Sequence, residues 1–540
     1  MSLLLAASVA LPLLLALAGL WPAARRQLSA LLWVAPLPGL GAALLLPDGT
    51  MLLLDARLEL GFALDRQGAV LLGVAALLWS AAGAYAHAYL GARPHAARFA
   101  TLWLLTLAGS LGCFIAADLV VFYTAFALAS LPPFGLVVHD GSARALRAGR
   151  IYLGLSLAGE VVLLLAFVML ALSAQGESLA IAHVVAGLAD YPTETAVVVL
   201  LLIGFGLKAG QLPLHVWLPL AHPAAPMPAS AVLSGAIIKA GIIGLLRFLP
   251  MESAMAGWGE VLAALGMATA LYAVLAGITQ ANPKTVLAYS SVSQMGVAAA
   301  ACGLGLAAGA PLTGSAVAFY AAHHMLAKGA LFLAVGVAQS GRRLWPLLLA
   351  PALVLSLGFG GLPLTGGYLA KLAVKPLFGG DVPALFSALS AAGSTVLMLH
   401  FMRRLAGVAP TEADRRPPAA LLAPWLLLAA AALLLPWLLL PALGLGTPAQ
   451  ALQPASLVKA LWPVAAGALL VLPLARLGAR LPAVPEGDLV VLGERLAAQG
   501  SVLARPIARL EQRLAAWSAA GTLLVALILL LAAAFTFDLR

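Results

Sequence analysis

The chain has 540 residues, of which 63% are hydrophobic and only 9% charged, and its mean hydropathy is +1.04. These values exclude an ordinary soluble enzyme and imply an all-α polytopic membrane protein. The net charge of +10 does not point to nucleic acid, because the basic residues lie in short loops with no basic face or interleaved aromatics.

Apolar runs of about 20 residues recur from end to end and predict about sixteen spans. They fall near residues 2–21, 28–46, 69–91, 98–116, 118–138, 149–173 and 195–220, then 228–250, 259–280, 285–305, 312–339, 346–376, 382–407, 418–443, 456–478 and 517–536. The first run has no basic flank and no small-residue cleavage site, so it reads as a span and not as a signal peptide. Alternation in MLLLDARLELGFALD predicts a short hairpin between the second and third spans. After the fifteenth span, charged residues from Glu486 to Arg513 alternate with Leu, Val and Ala at helical spacing. That pattern predicts a lateral amphipathic helix over 486–516, followed by a terminal span.

Arg25, Arg26, Arg93, Arg98, Arg144, Arg147, Arg150, Lys284, Arg342, Arg343, Arg403 and Arg404 fall in alternate loops, and the opposite loops hold Glu177, Asp190, Glu194, Glu252 and Asp381. The positive-inside rule then puts the basic loops in the cytoplasm and both termini outside, in an inner membrane of prokaryotic type. Cys113 and Cys302 are isolated, and the sequence has no CxxC, haem, Walker A or GxGxxG motif. No cofactor, metal or redox site is therefore expected in this chain.

The stretch Gly204–Phe248 concentrates the chemistry. Lys208 precedes two breaks at Pro213 and Pro219, His222 precedes a Pro-rich connector, and Lys239 lies in the following span. A lysine at that depth is costly in lipid and normally faces protein or water, while prolines there free carbonyls that only a lined cavity can satisfy. The segment GLPLTGGYLAKLAVKPLF (361–378) echoes it with a Gly/Pro break and Lys371. Two broken helices in corresponding halves point to inverted repeats over 98–250 and 259–407, flanked by spans at 1–97 and 418–478.

The chain has 7 lysines against 23 arginines, and Lys208, Lys239, Lys328 and Lys371 lie within spans while the loops use arginine. A buried lysine is able to lose its proton near neutral pH and an arginine is not. The competing reading is a fixed ion pair at each lysine. Glu160 is the one carboxylate deep in a span and is expected to pair with Lys208. His324 and Lys328 are one helical turn apart and, with His323, form a relay segment. His215 and His222 either link Lys208 to the cytoplasmic side or satisfy carbonyls of the broken helix.

Three motifs, LKAGQLPLHVWLPLAHPAAPMPASAVLSGAIIKAG, NPKTVLAYSSVSQMG, and HHMLAKGALFL with GLPLTGGYLAKL, resemble the antiporter-like subunits shared by respiratory complex I, energy-converting membrane hydrogenases and Mrp sodium/proton antiporters. The resemblance covers about residues 60–405. It implies about 14 core transmembrane helices with two inverted five-helix repeats. It implies Lys208 as a first-half channel lysine, Lys239 as a connecting lysine, His324 and Lys328 on a central axis, and Lys371 near the exit. The family glutamate of the fifth helix is replaced here by Ala127, and its aspartate-lysine pair by Asn282-Pro283-Lys284. The expected function is proton or sodium/proton translocation within a complex of other membrane subunits. A second reading is the membrane subunit of an inorganic-carbon uptake system with a soluble carbonic-anhydrase-like zinc partner. A third is a non-conducting scaffold, motivated by Ala127.

Overall fold

The computed structural model describes residues 2–55, 59–91, 95–174, 178–410, 416–477 and 484–499. The chain separates into two compact units, Met1–Val484 and Pro485–Arg540. Among the described residues, 12 helices are long and apolar enough to cross a membrane, and two further apolar helices have 16 residues each. The protein is thus an α-helical polytopic membrane protein.

The first unit opens with α1 (Leu3–Ala18) and the short α2 (Leu37–Leu45). The span expected at 28–46 does not form. Residues 28–31 make a single 3-10 turn, and the nine-residue α2 extends ~14 Å, half a bilayer core. Pro36 and Pro38 explain this, since neither supplies the amide a continuous helix needs there. The predicted hairpin follows as β1 (Thr50–Asp55) and β2 (Leu60–Leu64), antiparallel with Thr50 opposite Leu64.

Next come α3 (Arg66–Leu90), α4 (Ala96–Ile115), α5 (Leu119–Ser130) and α6 (Ala143–Ser173). The first broken helix consists of α7 (Glu194–Ala209) and α8 (Trp217–Ala224). Then follow α9 (Met227–Phe248), α10 (Ala256–Gly277), α11 (Pro283–Ala308) and α12 (Thr313–Ser340). The second broken helix consists of α13 (Trp345–Gly360) and α14 (Gly366–Val374). The unit closes with α15 (Asp381–Ala406), α16 (Ala419–Ala442) and α17 (Pro454–Leu477).

In the second unit the described residues form α18 (Asp488–Gln499), within the predicted lateral stretch. The remainder of that stretch and the predicted span 517–536 lie outside the described residues.

Both broken helices end in the same way. Gly210 and Gly361 adopt left-handed φ values of +75° and +97°, which only glycine takes without strain. The next residue closes a six-residue turn, with Gln211 N–H donating to Gly206 O at 2.8 Å and Leu362 N–H to Leu357 O at 3.1 Å. Pro213 and Pro363 then prevent the helix from resuming at once.

The helices α9 and α12 are buried along their apolar length and form the centre, whereas α6 and α17 expose most of theirs. Between α10 and α11 the backbones touch. Gly259 and Gly266 face Gly303 and Gly296, and a Cβ on Gly266 would lie 2.4 Å from the Ala300 nitrogen. At the end of α9, Arg247 donates to Phe114 O and Ala116 O at 2.6 Å each and pairs with Asp65 at 3.2 Å. This end of the bundle, with the hairpin, lies opposite the end that carries the basic loops.

Candidate functional site

The site begins where α5 stops. Pro132 and Pro133 have no N–H to give to the carbonyls of Leu128 and Ala129, so the last turn of α5 is left with exposed acceptors. Lys208, at the last turn of α7, takes one of them. Its Nζ donates to Ala129 O at 3.1 Å and to Ser130 Oγ at 2.9 Å, and it lies 5.4 Å from the Phe126 ring centroid. The Ser130 carbonyl accepts from the Tyr152 hydroxyl at 2.6 Å. A buried ammonium is tolerated when its protons are matched in this way.

The direct pairing expected between Glu160 and Lys208 does not form. No carboxylate oxygen comes within 4.0 Å of the Lys208 amine among the described ion pairs, and both Glu160 oxygens are buried without a hydrogen-bond partner. The physical reason is the α5 break, whose freed carbonyl and Ser130 hydroxyl hold the amine on their side. Glu160 still feels Ser130 and the Lys208 charge, so Ser130 stands between carboxylate and amine.

The centre is tighter. In α9 the segment Leu233–Ile237 widens into a π turn, a feature that often accompanies function because it re-aims backbone groups. Lys239, just after it, donates to Ser234 O at 2.8 Å and meets His324 Nδ1 at 2.5 Å. One turn along α12, Lys328 donates to Leu287 O at 3.2 Å and sits 4.8 Å from the Phe359 centroid. Phe359 also packs on His323 and His324, at 5.8 and 5.7 Å between ring centroids. Lys239, Lys328 and His324 are each 1% exposed or less. The structure therefore gathers His323, His324 and Lys328 around one aromatic ring and joins Lys239 to them through His324.

The remaining candidates are placed as follows. Lys371 is half-buried on α14, with its chain over the break glycine Gly361, and its charge reaches His323. His215 is buried beside Tyr272 and Tyr289. His222 packs on Phe332 at 4.8 Å, and the charges acting on it are Lys284, Lys328 and Lys239, which places it with the centre and not with Lys208. His400 lies on the basic-loop rim, its Nε2 2.7 Å from Gln280 O. Asp118 caps α5, accepting from Val120 and Val121 N–H. Among the described residues, no group of three or more His, Cys, Asp or Glu is placed to hold a metal ion.

Lys284 is legible in the sequence as a loop charge and as the lysine of the altered aspartate-lysine pair, not as a buried group. It is 5% exposed, and its Nζ donates to Ala225 O. A polar chain in α11 also escaped notice, with Tyr320 Oη donating to Gln294 Oε1 at 2.5 Å, Gln294 Nε2 to Ser394 Oγ at 2.9 Å, and Ser234 and Ser291 hydroxyls 2.7 Å apart. The SSVSQ cluster inside an apolar span was its signal.

Residues 116–378, which contain every group above apart from Gln294's partner Ser394 and His400, match the family described as NADH:quinone oxidoreductase/Mrp antiporter, TM. Over those residues the chain is similar to the antiporter-like membrane subunits of the complex I/Mrp superfamily. It is 33% identical over 269 residues to hydrogenase-4 component B of Escherichia coli (strain K12), covering 48% of this chain and 40% of that protein. It is also 33% identical over 243 residues to the NAD(P)H-quinone oxidoreductase chain 4 2 of Microcystis aeruginosa (strain NIES-843 / IAM M-2473), covering 44% and 43%. The match thus spans less than half the length of these two relatives. The fold superposes on part of the Mrp complex from Dietzia sp. DQ12-45-1b with a TM-score of 0.75 at 23% identity, over 100% of this chain and 63% of the matched one.

Proposed function

We propose that this antiporter-like protein translocates protons, as one member of a larger membrane complex, along Glu160, Lys208, Lys239, His324, His323, Lys328 and Lys371. The observation that carries this reading is the 2.5 Å contact between Lys239 Nζ and His324 Nδ1. An ammonium facing an imidazole nitrogen shares one proton between two bases. Among the described residues His324 Nε2 has no hydrogen-bond partner, which leaves a second ring nitrogen for the next transfer. A structural lysine would need only a carbonyl, and Ser234 already supplies one.

The two breaks, with their matching glycine caps, support two inverted five-helix repeats over 98–250 and 259–407. On this reading Glu160 and Lys208 load the first half, the Lys239–His324–Lys328 group connects the halves, and Lys371 passes the proton out. His215, between the tyrosines, lines the break. The energy source lies in partner subunits, and the membrane is a bacterial inner membrane with the basic loops in the cytoplasm and both termini outside.

Proton uptake by sealed inverted vesicles carrying the native complex tests this. Lys208→Ala and Glu160→Gln are expected to lower coupled uptake with assembly intact. Wild-type uptake in both variants would favour the scaffold role, and a zinc protein co-purifying in place of membrane subunits would favour the carbon-uptake reading.

A further inference from the structure

A cavity of about 530 Å³ opens at the basic-loop end, lined in part by Asp140, Ala225, Asn282, Lys284 and Gln339. Its floor is built by a proline effect. The helical partner of the His222 carbonyl would be residue 226, which is proline, and the Ser230 hydroxyl takes its place at 2.9 Å while also lying 3.3 Å from Ala225 O. Ala225 O in turn accepts from Lys284 Nζ. One residue run, His222 to Ser230, therefore connects the cavity wall to the buried core.

His222 is fully buried, and among the described residues neither ring nitrogen has a hydrogen-bond partner. An imidazole with both nitrogens unpaired is expensive to bury unless water reaches it or it exchanges protons. The charges that act on it are Lys284 on the cavity side and Lys328 and Lys239 on the central side. Lys284 itself feels Asp140, at the exposed lip, and Arg144.

We propose that this cavity is a proton entrance from the basic-loop face to the central lysines, beside the Glu160–Lys208 loading of the first half, with Lys284 as its gate and His222 as the step between the gate and the central lysines. In the transfer, an N–H bond of the Lys284 ammonium breaks and an N–H bond forms on the His222 ring through an intervening water. Lys284 becomes a neutral amine and His222 an imidazolium. The imidazolium then gives its proton to Lys328 or Lys239, and Lys284 recovers one from cavity water beside Asp140. The inference rests on the translocation reading above and adds the point of entry, at a lysine outside the row named there.

The test uses sealed inverted vesicles with the complete chain in its native complex. Lys284→Met is expected to lower proton uptake about 10²-fold, the lower end of what a positioned acid–base group contributes. Lys284→His is expected to restore part of it and Lys284→Arg none, because arginine holds the carbonyl contact but does not release a proton. Uptake restored by arginine would show that Lys284 is only structural and would overturn the proposal. Separately, Ala281→Cys at the lip is modified with an impermeant cationic thiol reagent from the vesicle exterior. The native Cys113 and Cys302 are buried, so labelling reports the lip. Loss of uptake on labelling supports the entrance, and unchanged uptake on complete labelling overturns it. If Lys328→Met abolishes uptake while Lys284→Met does not, the entrance lies elsewhere and translocation stands. If Lys328→Met leaves uptake intact, translocation itself fails.

Discussion

Lys208 and Lys239 are both buried lysines beside an interrupted helix, yet they are held in different ways. Lys208 is anchored from another helix, by a carbonyl and a hydroxyl at the proline-broken end of α5, and its carboxylate neighbour stands across Ser130 without a hydrogen bond of its own. Lys239 is anchored by its own helix, through the Ser234 carbonyl of the π turn, and it contacts His324 directly. The first arrangement separates proton donor and acceptor by a hydroxyl, and the second leaves no gap. The comparison teaches that two lysines indistinguishable by depth are held differently; on the proposed reading one waits for a rearrangement, and the other is already poised to share its proton.

The most damaging change should be at the centre. Lys239→Met removes the amine from the direct contact, and proton uptake in inverted vesicles is expected to fall about 10²-fold or more. A loss no greater than that of the peripheral variants would erase the difference between the two regions. The periphery is sharpened by Glu160→Gln, with an expected loss of about tenfold, equivalent to ~1.4 kcal/mol in a barrier. If Glu160 substitutes for the carboxylate missing at Ala127, adding Ala127→Glu to that variant should return most of the uptake. Failure to rescue would leave Glu160 without that role.

Ser130→Ala should cost less. Lys208 keeps Ala129 O, and water is able to take the place of the lost hydroxyl, so the loss is expected to stay below the ~1.4 kcal/mol of Glu160→Gln. A slowed transfer that recovers with Ser130→Thr is the expected signature. The smallest effect is expected from Pro133→Ala, which restores an amide able to take the Ala129 carbonyl back into the helix. Uptake should fall by about twofold to threefold while thermal stability rises by ~0.5–1 kcal/mol, half or less of what a helix-interior proline costs. Unchanged uptake would show that Lys208 does not depend on that carbonyl.

What the sequence revealed follows from cost. Lys208, Lys239, Lys328, His323 and His324 stand out because charge in an apolar span is expensive, and Gly210 and Gly361 stand out because each precedes a proline by two or three residues. The hairpin was legible from its alternation. The π turn was not, since LSGAI is an ordinary apolar helix by composition. Pro132-Pro133 was visible as a break, but its consequence for Lys208 depends on which helix end packs against α7, a tertiary fact. Lys284 looked like a loop charge because it follows Asn282-Pro283 at a helix start, and only the fold shows its amine turned inward to Ala225. The expected Glu160–Lys208 pair failed for the same reason, since spacing along two helices does not say what else competes for the amine.

Proton uptake by sealed inverted vesicles carrying Lys328→Met measures the central claim most directly, because Lys328 touches the carbonyl of Leu287 and the Phe359 ring and, among the described residues, has no ion pair to lose. The account predicts assembled complex with coupled uptake reduced about 10²-fold. Wild-type uptake by that assembled variant would contradict it.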